Sequence, residues 1–460
     1  MFIGTDKKRL LSLIPQLFYN PFHHRRTQNM AYNFDTLKIR AGYNPLEHNN
    51  AVSVPIYQTV AYEMGSTARA DALFAFELED PLYTRVSNPT VQVLEKRVAA
   101  LHGVDYAVAV ASGMAAISYT VLALASKGGR ILTSPRLYGG AVDGFHSILE
   151  ELGVNYDMIA NPDDPNEFER NIKEDTKAIY IETISNPLAT VLDFDAIAEI
   201  AHKHGIPLVV DNTAATPYLF NPFEHGADIV VYSATKALCG HGNVIAGLIL
   251  EKGGFNYDPA KFPVLDRKLW FLRDRNENSR SILDIFPTSP ITGKIRAVHL
   301  NYLGAALSPF DAYLILLGIE TLSERVSKQT SSAVKIVKYL ETNKHVNWIS
   351  YPYAKGSKYK ELADKYLPNG AGGILSFEFA GTEEQKRKFI ESVNIFGYQA
   401  NIGDARSLIV NPAQTTHGEL THEQREVTGL SINTIRLSIG LEDPQDLIDD
   451  LDQAFEKAFT

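Results

Sequence analysis

The sequence predicts an α/β protein in which a mostly parallel central sheet is flanked by helices and followed by a smaller C-terminal α+β domain. Between about residues 90 and 250, short apolar strands alternate with helical segments, which is typical of parallel βαβ units. Polar residues collect where the apolar runs end, as they do at the ligand-binding edge of such a sheet. Past about residue 310 this alternation stops, which indicates a second unit.

The length and the composition limit the classes of function. The chain has 460 residues, a formal net charge of -10 and 45% apolar residues. This length allows two or three domains, and the acidic balance argues against a nucleic-acid partner, which needs a basic face. The single cysteine, Cys239, excludes an intrachain disulfide. A chain without disulfides fits a reducing compartment, and we expect a cytoplasmic protein.

One uncharged stretch, residues 106–126, approaches the length of a membrane span. Ser112, Gly113 and Ser118 interrupt it, and its first half is β-like. We therefore interpret it as a strand, a tight loop and a buried helix, and we expect no membrane segment.

The domain boundaries follow from changes in composition. The N-terminal 29 residues contain five basic residues and one acid, Asp6, and Pro15 and Pro21 interrupt any long amphipathic helix. We expect this segment to be an unstructured extension that precedes a natural start at Met30. The predicted divisions are an extension over 1–29, an N-terminal arm over 30–87, a large domain over 88–308 and a small C-terminal domain over 309–460.

Capping signals and periodicity place the elements. A helix is predicted from Asn88-Pro89 to Gly103, because the asparagine suits the cap, the proline the first turn and the glycine the end. A long amphipathic helix over 308–326 connects to the second domain. The predicted strands are 106–111, 130–134, 177–183, 207–212, 228–233, 372–381 and 433–443, and further helices are predicted over 141–153 and 194–205.

A lysine, Lys236, follows the apolar strand DIVVYS. A buried ammonium is costly unless it is paired or deprotonated, so this side chain is a strained ion, a snorkelling lysine or a reactive amine. Asp211 ends the neighbouring strand PLVVDN, where it is also suited to cap a helix. A lysine that condenses with an aldehyde and a carboxylate that keeps a pyridine nitrogen protonated together predict a pyridoxal 5′-phosphate (PLP) site.

Other strand ends carry groups that suit the same cofactor. Ser112-Gly113, at a strand-to-helix turn, offers a hydroxyl and backbone N–H groups to a phosphate, although a simple tight turn is the alternative. Ser233 and Thr235 offer further hydroxyls. Tyr138 is suited to stack on a flat ring. The alternative interpretation is that it is an ordinary half-buried tyrosine without a role in binding. The histidines show no ligand spacing, so we expect no metal site.

Seven motifs in order resemble the Cys/Met-metabolism family of PLP-dependent enzymes, over nearly everything from about Tyr32 to the C-terminus. The motifs are VPIYQT (54–59), YTRVSNPT (83–90), ASGMAAI (111–117), ETISNP (182–187), VVDNT (209–213), SATK (233–236) and RLSIGLED (436–443). Each alone is a weak signal, but seven in order are specific. The resemblance implies the transferase fold type I of PLP-dependent enzymes, with PLP as cofactor.

The resemblance also implies roles by position. Lys236 would carry PLP and move protons, Asp211 would pair with the pyridine nitrogen, and Tyr138 would stack on the ring and face the substrate. Arg436 would bind the substrate α-carboxylate, with Asn401 beside it. Further cofactor contacts are implied for Asn186 at the ring hydroxyl, for Ser112, Gly113, Met114, Thr213, Ser233 and Thr235 around the phosphate, and for Tyr83 and Arg85 from the arm of a neighbouring subunit. The family therefore implies at least a dimer and, by analogy, a tetramer.

Within the family, the chain most resembles the O-acetylhomoserine sulfhydrylases. Asn401 and Arg406 stand in the segment 401–408 as they tend to in that branch, and the segment 253–302 is long. This branch implies γ-replacement of O-acetylhomoserine by sulfide, giving homocysteine and acetate in methionine biosynthesis. The residues leave the sulfur donor and the leaving acyl group open. Methionine γ-lyase and cystathionine γ-synthase activities are alternatives on the same scaffold.

Two points qualify the resemblance. Family members often have Lys-Tyr-x-Gly-Gly-His-Gly after the reactive lysine, whereas residues 237–242 read ALCGHG here, which leaves the contacts beside Lys236 open. An alternative of another class is a non-catalytic nucleotide-binding module. The lack of a G-x-G-x-x-G motif after a strand and of a P-loop argues against it.

Overall fold

The computed structural model of the chain describes residues 32–78, 80–418, 421, 425 and 427–460. The predicted extension over 1–29 and the first two residues of the predicted arm lie outside the described residues. The arm contains the helices Phe34–Arg40 and Thr67–Phe74 and a short helical turn at Pro45–His48.

A seven-stranded sheet forms the centre of the large domain, with the strand order β1-β7-β6-β5-β4-β2-β3. β7 is antiparallel to both of its neighbours, and the other neighbouring pairs are parallel. The strands are β1 (Tyr106–Val110), β2 (Arg130–Thr133), β3 (Asn155–Met158), β4 (Thr176–Glu182), β5 (Leu208–Asp211), β6 (Ile229–Ser233) and β7 (Gly247–Glu251). The prediction of a mostly parallel sheet is confirmed, although β3 and β7 were not among the predicted strands.

Both faces of this sheet are buried. Successive side chains of a strand point to opposite faces, and here they enter two separate apolar clusters. Val210 and Val230 lie in one cluster, whereas Val209 and Val231 lie in the other. Burial on both faces explains why these strands are continuous apolar runs rather than alternating patterns.

Helices cover the sheet, and the predicted caps are present. The Asn88 side chain accepts a hydrogen bond from the Thr90 backbone N–H at 3.0 Å, and Gly103 ends the helix with φ 67°. The predicted helix 141–153 begins as Gly139–Gly144 and continues as a π-helical turn, Phe145–Leu149. The main helices of the large domain are Pro89–His102, Gly113–Ala125, Asn166–Asn171, Phe194–Lys203, Thr216–Leu219, Pro263–Asp266, Ile282–Ile285 and Pro290–Lys294, with a π-helical turn at Ile295–Leu300 followed by Asn301–Leu303.

A second sheet lies in the C-terminal part, as predicted. A two-stranded ribbon of β8 (Leu269–Arg273) and β9 (Ser279–Arg280) precedes it in the chain. The C-terminal sheet has the order β10-β11-β14-β13-β12. Its strands are β10 (Val346–Ser350), β11 (Ile374–Phe379), β12 (Gly397–Tyr398), β13 (Leu408–Val410) and β14 (Thr434–Ser438), and β11 and β14 correspond to the two predicted strands.

Helices pack around this second sheet. The predicted long helix over 308–326 is two helices, Pro309–Ile319 and Leu322–Leu340, because Thr321 between them has a non-helical backbone (φ -117°, ψ 20°). The other helices are Lys360–Tyr366, Glu383–Ser392 and Pro444–Phe459. The helix Pro309–Ile319 also packs against the helix Pro89–His102 of the large domain, so the exact boundary at residue 308 stays a prediction.

The uncharged stretch 106–126 forms β1 and the helix Gly113–Ala125, as predicted. Ala116, Ala123 and Ala125 of this helix are fully buried, which explains its apolar composition. Among the residues that the structure describes, no helix is both long and apolar enough to cross a membrane.

Candidate active site

Lys236 lies three residues past the end of β6, where its side chain reaches the C-terminal domain. Its Nζ donates a hydrogen bond to Asn401 Oδ1 at 2.7 Å. Burial, together with the positive charge of Arg436, lowers the pKa of the Lys236 ammonium to about 8. At pH 7 roughly one amine in ten is then unprotonated, far more than for an ordinary lysine with a pKa near 10.4. Burial and the lowered pKa favour a reactive amine over a snorkelling side chain, and this role of Lys236 stays a prediction.

Asp211, the last residue of β5, lies on the floor of the same cleft. It is 9% exposed, and its carboxylate accepts hydrogen bonds from the Thr213 N–H at 2.9 Å and the Tyr180 hydroxyl at 3.2 Å. Burial raises the pKa of Asp211 above its usual range, and the hydrogen bonds from Thr213 and Tyr180 oppose that rise. A buried carboxyl group with these properties favours a cationic partner such as a protonated ring nitrogen.

Arg436 stands on β14, the central strand of the C-terminal sheet, and is 2% exposed. Its Nη1 donates to Asn186 Oδ1 at 2.9 Å, and its Nη2 donates to the Asn401 backbone oxygen at 2.8 Å. Its Nε is buried and has no hydrogen-bond partner within the described residues. Burial lowers the pKa of Arg436 to about 10, so the side chain still carries its charge at neutral pH. This guanidinium is therefore held at two points, with donors left for an anionic ligand.

Ser112 and Gly113 form the turn that leads from β1 into a helix of 13 residues. The Ser112 hydroxyl accepts the Ala115 N–H at 3.0 Å and so caps the helix. A Cβ added to Gly113 would lie 2.6 Å from Ser233 Cβ, which is closer than real carbon atoms approach. Thr213 Oγ1 accepts the Ser233 N–H at 2.8 Å. The helix N-terminus and the end of β6 thus come together at a place that suits an anion.

Thr235 and Met114 have structural contacts of their own. The Thr235 hydroxyl donates to the Ala246 backbone oxygen at 3.2 Å and accepts the Ala246 N–H at 2.9 Å. The Met114 side chain packs against the helix that begins at Gly139, since a Cβ on Gly144 would lie 3.1 Å from Met114 Cε. Both residues border the turn, and their contact with a phosphate stays a prediction.

Tyr138 precedes the helix Gly139–Gly144, and its side chain is 42% exposed. Its backbone N–H donates to Glu182 Oε1 at 2.5 Å, and the Asn186 N–H donates to Glu182 Oε2 at 3.3 Å. Glu182 and Tyr180 were not predicted as site residues. Glu182 carries the same signal as Asp211, a charged residue at the end of a buried strand, which would have identified it.

Tyr83 and Arg85 lie apart from the other predicted site residues. Both are exposed, and the Arg85 guanidinium lies 5.1 Å from the centre of the Tyr83 ring. The described residues of this subunit provide no hydrogen bond between this pair and the cleft, and the one hydrogen bond of the Arg85 side chain is to Asn301 Oδ1 at 3.5 Å. The position on the surface agrees with a function toward another subunit but does not test it.

Arg406 contributes indirectly to the cleft. Its Nη1 forms an ion pair with Asp404 Oδ1 at 2.9 Å, and 67% of its side chain is exposed. The other oxygen of Asp404 lies 3.5 Å from Asn401 Nδ2. Arg406 therefore holds a buried carboxylate that supports Asn401, the partner of Lys236.

The residues after Lys236, which depart from the family pattern, form a buried backbone turn. Arg325 Nη1 donates to the Ala237 oxygen at 2.9 Å. Cys239 is 1% exposed, its thiol bonds Asn243 Oδ1 at 3.1 Å, and burial raises the pKa of that thiol. Cys239 thus behaves as a small buried group rather than as a nucleophile. No cluster of three or more potential metal ligands occurs in the part of the chain that the structure describes.

Cavities flank the lysine and the loop that carries Asn186. One lies between the two domains and is bordered by Lys236, Thr213, Gly373 and Ser438. Another is bordered by Leu137, Asn186 and His417.

These residues fit PLP on chemical grounds. The site offers an amine of lowered pKa, a buried carboxyl group for the ring nitrogen, and a helix N-terminus for the phosphate. The close approach of Gly113 to Ser233 leaves backbone N–H groups uncovered by a side chain, as a phosphate cradle requires. The unpaired Nε of Arg436 offers a donor to the carboxylate of an amino-acid substrate.

The comparison with known families agrees with this fit. Residues 35–456 match the family described as Cys/Met metabolism PLP-dependent enzyme, and the chain belongs to that family. The molecule is therefore a PLP-dependent enzyme of this family, and the predicted cofactor is confirmed.

Individual relatives cover almost the whole chain. Sulfhydrylase FUB7 of Fusarium oxysporum f. sp. lycopersici is 38% identical over 435 residues, which are 94% of this chain and 99% of the relative. O-acetyl-L-homoserine sulfhydrylase of Leptospira meyeri is 38% identical over 440 residues, which are 93% and 98%. The crystal structure of a Campylobacter jejuni protein named as an O-acetylhomoserine (thiol)-lyase, with N'-pyridoxyl-lysine-5'-monophosphate, is 35% identical and has a TM-score of 0.88. That match covers 92% of this chain and 100% of the other, which confirms the predicted fold type.

Proposed function

We propose that this chain is an O-acetylhomoserine sulfhydrylase, which converts O-acetylhomoserine and sulfide, or a related thiol, to homocysteine and acetate. The names of the relatives over more than nine-tenths of the chain support this reaction. The observation in the structure that carries the proposal is that Asn401 joins Lys236 and Arg436. A reactive amine and a carboxylate-binding guanidinium, held by one residue, suit an α-amino acid as substrate.

The residues divide the work of the proposed reaction. Arg436 binds the α-carboxylate of the substrate and fixes the Cα–H bond near Lys236. The Lys236 amine takes the Cα proton and, once it has passed that proton on, a Cβ proton, after which the Cγ–O bond breaks and acetate leaves. The thiol sulfur then bonds to Cγ, and protons return to Cβ and Cα to give homocysteine. Bound PLP supplies the electron sink that stores the negative charge developed at Cα. Asp211 keeps that sink effective, because its buried carboxylate stabilises a protonated ring nitrogen.

Methionine γ-lyase and cystathionine γ-synthase activities are the alternatives, since both use the same groups. Arg406 and the long segment 253–302 favour the sulfhydrylase. In the structure that segment packs on the arm, where Arg280 donates to the Ala75 oxygen and Arg296 donates to the Val86 oxygen. A segment that contacts the arm, and not Lys236, leaves the common chemistry in place.

A substrate panel tests the proposal. O-acetylhomoserine, O-succinylhomoserine, methionine and cystathionine are each supplied with sulfide, and homocysteine and α-ketobutyrate are measured. We expect homocysteine from O-acetylhomoserine and little α-ketobutyrate from methionine. Abundant α-ketobutyrate from methionine, with little homocysteine from O-acetylhomoserine, would establish a γ-lyase. Efficient use of O-succinylhomoserine would show that succinate is the leaving group.

Borohydride reduction and peptide mapping test the role of Lys236 in the same preparation. We expect the reduced pyridoxyl label on Lys236 and no turnover by Lys236→Ala. Lys294 provides an internal control, because burial lowers its pKa to about 7 while its Nζ donates to the Ala123 oxygen away from the cleft. A label on Lys294 instead of Lys236 would show that the assignment is wrong.

We further propose that the enzyme is cytoplasmic and assembles as a tetramer of site-sharing dimers, in which Tyr83 and Arg85 reach the phosphate of a neighbouring subunit. The exposure of this pair supports the sharing, because its donors find few partners within their own subunit. Light scattering on the holoenzyme tests the assembly. A monomer with full activity would refute it.

A further inference from the structure

Glu182 joins two loops that carry candidate site residues. It ends β4 and is 7% exposed. One carboxylate oxygen accepts the backbone N–H of Tyr138, and the other accepts the backbone N–H of Asn186. Tyr138 is the candidate for stacking on the cofactor ring, and the Asn186 side chain accepts from Arg436. A single buried side chain therefore fixes the backbone of two large-domain loops, those that follow β2 and β4.

Glu182 also lies next to Asp211. The two residues are register partners on the parallel strands β4 and β5, so their side chains point to the same face of the sheet. Tyr180, two residues before Glu182 and on the same face, reaches Asp211 with its hydroxyl. Tyr180, Glu182 and Asp211 therefore lie on the same face of the sheet, next to one another.

The two carboxyl groups have no cation of their own. Among the described residues, no lysine, arginine or histidine forms an ion pair with either of them. Burial, and then the charge of Asp211, raises the pKa of Glu182 well above its usual range, and the backbone N–H groups of Tyr138 and Asn186 oppose that rise. Two buried acids without a counter-ion are costly unless a ligand supplies the positive charge. A protonated ring nitrogen at Asp211 is such a ligand.

We propose that Glu182 is a positioning residue of the active site, which anchors Tyr138 and Asn186 and, when a cationic group is bound at Asp211, adds a second negative charge behind that residue. The inference rests on the proposed function only in that the ligand at Asp211 is the PLP ring. The anchoring sets the distance between the stacking ring and the Asn186–Arg436 pair, and thereby the orientation of the substrate. The charge favours the protonated state of the cationic groups that lie nearby.

Two substitutions separate these functions. Glu182→Asp keeps the charge but is one methylene shorter, so it cannot reach both backbone N–H groups. Glu182→Gln keeps the length but loses the charge, and its amide keeps only one acceptor oxygen for the two N–H groups. The cofactor titration midpoint, which the shorter but charged Glu182→Asp leaves unchanged, therefore reports the loss of charge. Glu251→Gln is the matched control, because Glu251 is also a buried glutamate at a strand end that accepts two backbone N–H groups, those of Ile291 and Thr292. Those groups begin a helix at the opposite end of the sheet from the site, because Glu251 is the register partner of Tyr106 and Ile229, the first residues of β1 and β6.

Three quantities are measured on the holoenzyme: kcat/KM, the melting temperature, and the midpoint of the pH titration of the long-wavelength absorbance of the bound cofactor. For Glu182→Gln we expect that midpoint to fall by about one pH unit, because loss of a nearby negative charge favours the deprotonated form. For Glu182→Asp we expect an unchanged midpoint and a kcat/KM lowered roughly tenfold or more. Glu251→Gln should lower only the melting temperature.

The inference is overturned if both Glu182 variants behave as Glu251→Gln does, with lower stability but normal absorbance and kcat/KM. If Glu182→Gln does not fold, Glu182→Asp still decides, because retained kcat/KM in that variant would exclude the anchoring function. Failure of the proposed function gives another pattern. The wild-type protein would then bind the cofactor but form no homocysteine from O-acetylhomoserine. Glu182→Gln would still show the shifted midpoint.

Discussion

Replacing Arg436 by lysine keeps a positive charge in the cleft and removes the planar fork of donors. We expect Arg436→Lys to lower kcat/KM for O-acetylhomoserine while leaving the cofactor bound. Arginine presents five N–H donors. In the structure Nη1 is bonded to Asn186 and Nη2 to Asn401, and Nε is unpaired among the described residues. The substrate carboxylate can thus accept hydrogen bonds from the remaining N–H groups of Arg436, and the two anchors already fix the orientation of that guanidinium.

The size of the effect follows from the donors that lysine lacks. An ammonium at one point cannot satisfy both anchors and also bind a carboxylate bidentately. A hydrogen bond to a charged group contributes about 1.5–3 kcal/mol, and about 1.4 kcal/mol corresponds to a tenfold change. Loss of one such bond therefore lowers kcat/KM roughly 10- to 140-fold. An anchor oxygen left unpaired, on Asn186 or Asn401, costs about 1–3 kcal/mol of folding free energy in addition.

The assay compares O-acetylhomoserine with its α-carboxamide, by homocysteine formation at saturating sulfide. Wild-type enzyme should prefer the acid strongly, and Arg436→Lys should lose most of that preference. Arg97→Lys is the matched control, because Arg97 is 1% exposed and donates to the Ala41 oxygen at 3.0 Å on the helix Pro89–His102, outside the cleft. Equal losses for acid and amide in Arg436→Lys would refute the assignment of the carboxylate site.

Two further predictions concern the cofactor. Gly113→Ala should weaken PLP binding about tenfold and lower the free energy of unfolding by about 1–3 kcal/mol, because the new Cβ overlaps Ser233. Gly397→Ala is its control, with the nearest side-chain atom at 3.5 Å, and equal PLP affinity in the two variants would contradict the cradle. The rate at which the apoprotein binds PLP should rise through pH 8 and level off near pH 9, because the depressed pKa of Lys236, about 8, frees its amine below the usual range. A rate that still rises toward pH 10.5 would show that the amine is not perturbed.

Local signals were sufficient for much of the fold. The apolar runs predicted five strands of the central sheet, and the Asn88 cap and Gly103 placed a helix correctly. β3 was missed because Asn155–Met158 is a polar edge strand, with side chains that are only partly buried. β7 was missed because it returns antiparallel after β6 without a helix between them, which the βαβ pattern does not anticipate.

The sequence by itself determined the family, the cofactor and the candidates for the chemistry, because lysine, aspartate, arginine and hydroxyl side chains stand at recognisable strand ends and motifs. Only the tertiary structure decided which of them meet. Lys236 and Asn401 are 165 residues apart in the chain, and Arg436 and Asn186 are 250 apart. Such contacts depend on strand order and on how the C-terminal sheet packs against the large domain, and no local pattern encodes either. For the same reason the link from Glu182 to Tyr138 and Asn186 became visible only in the folded chain.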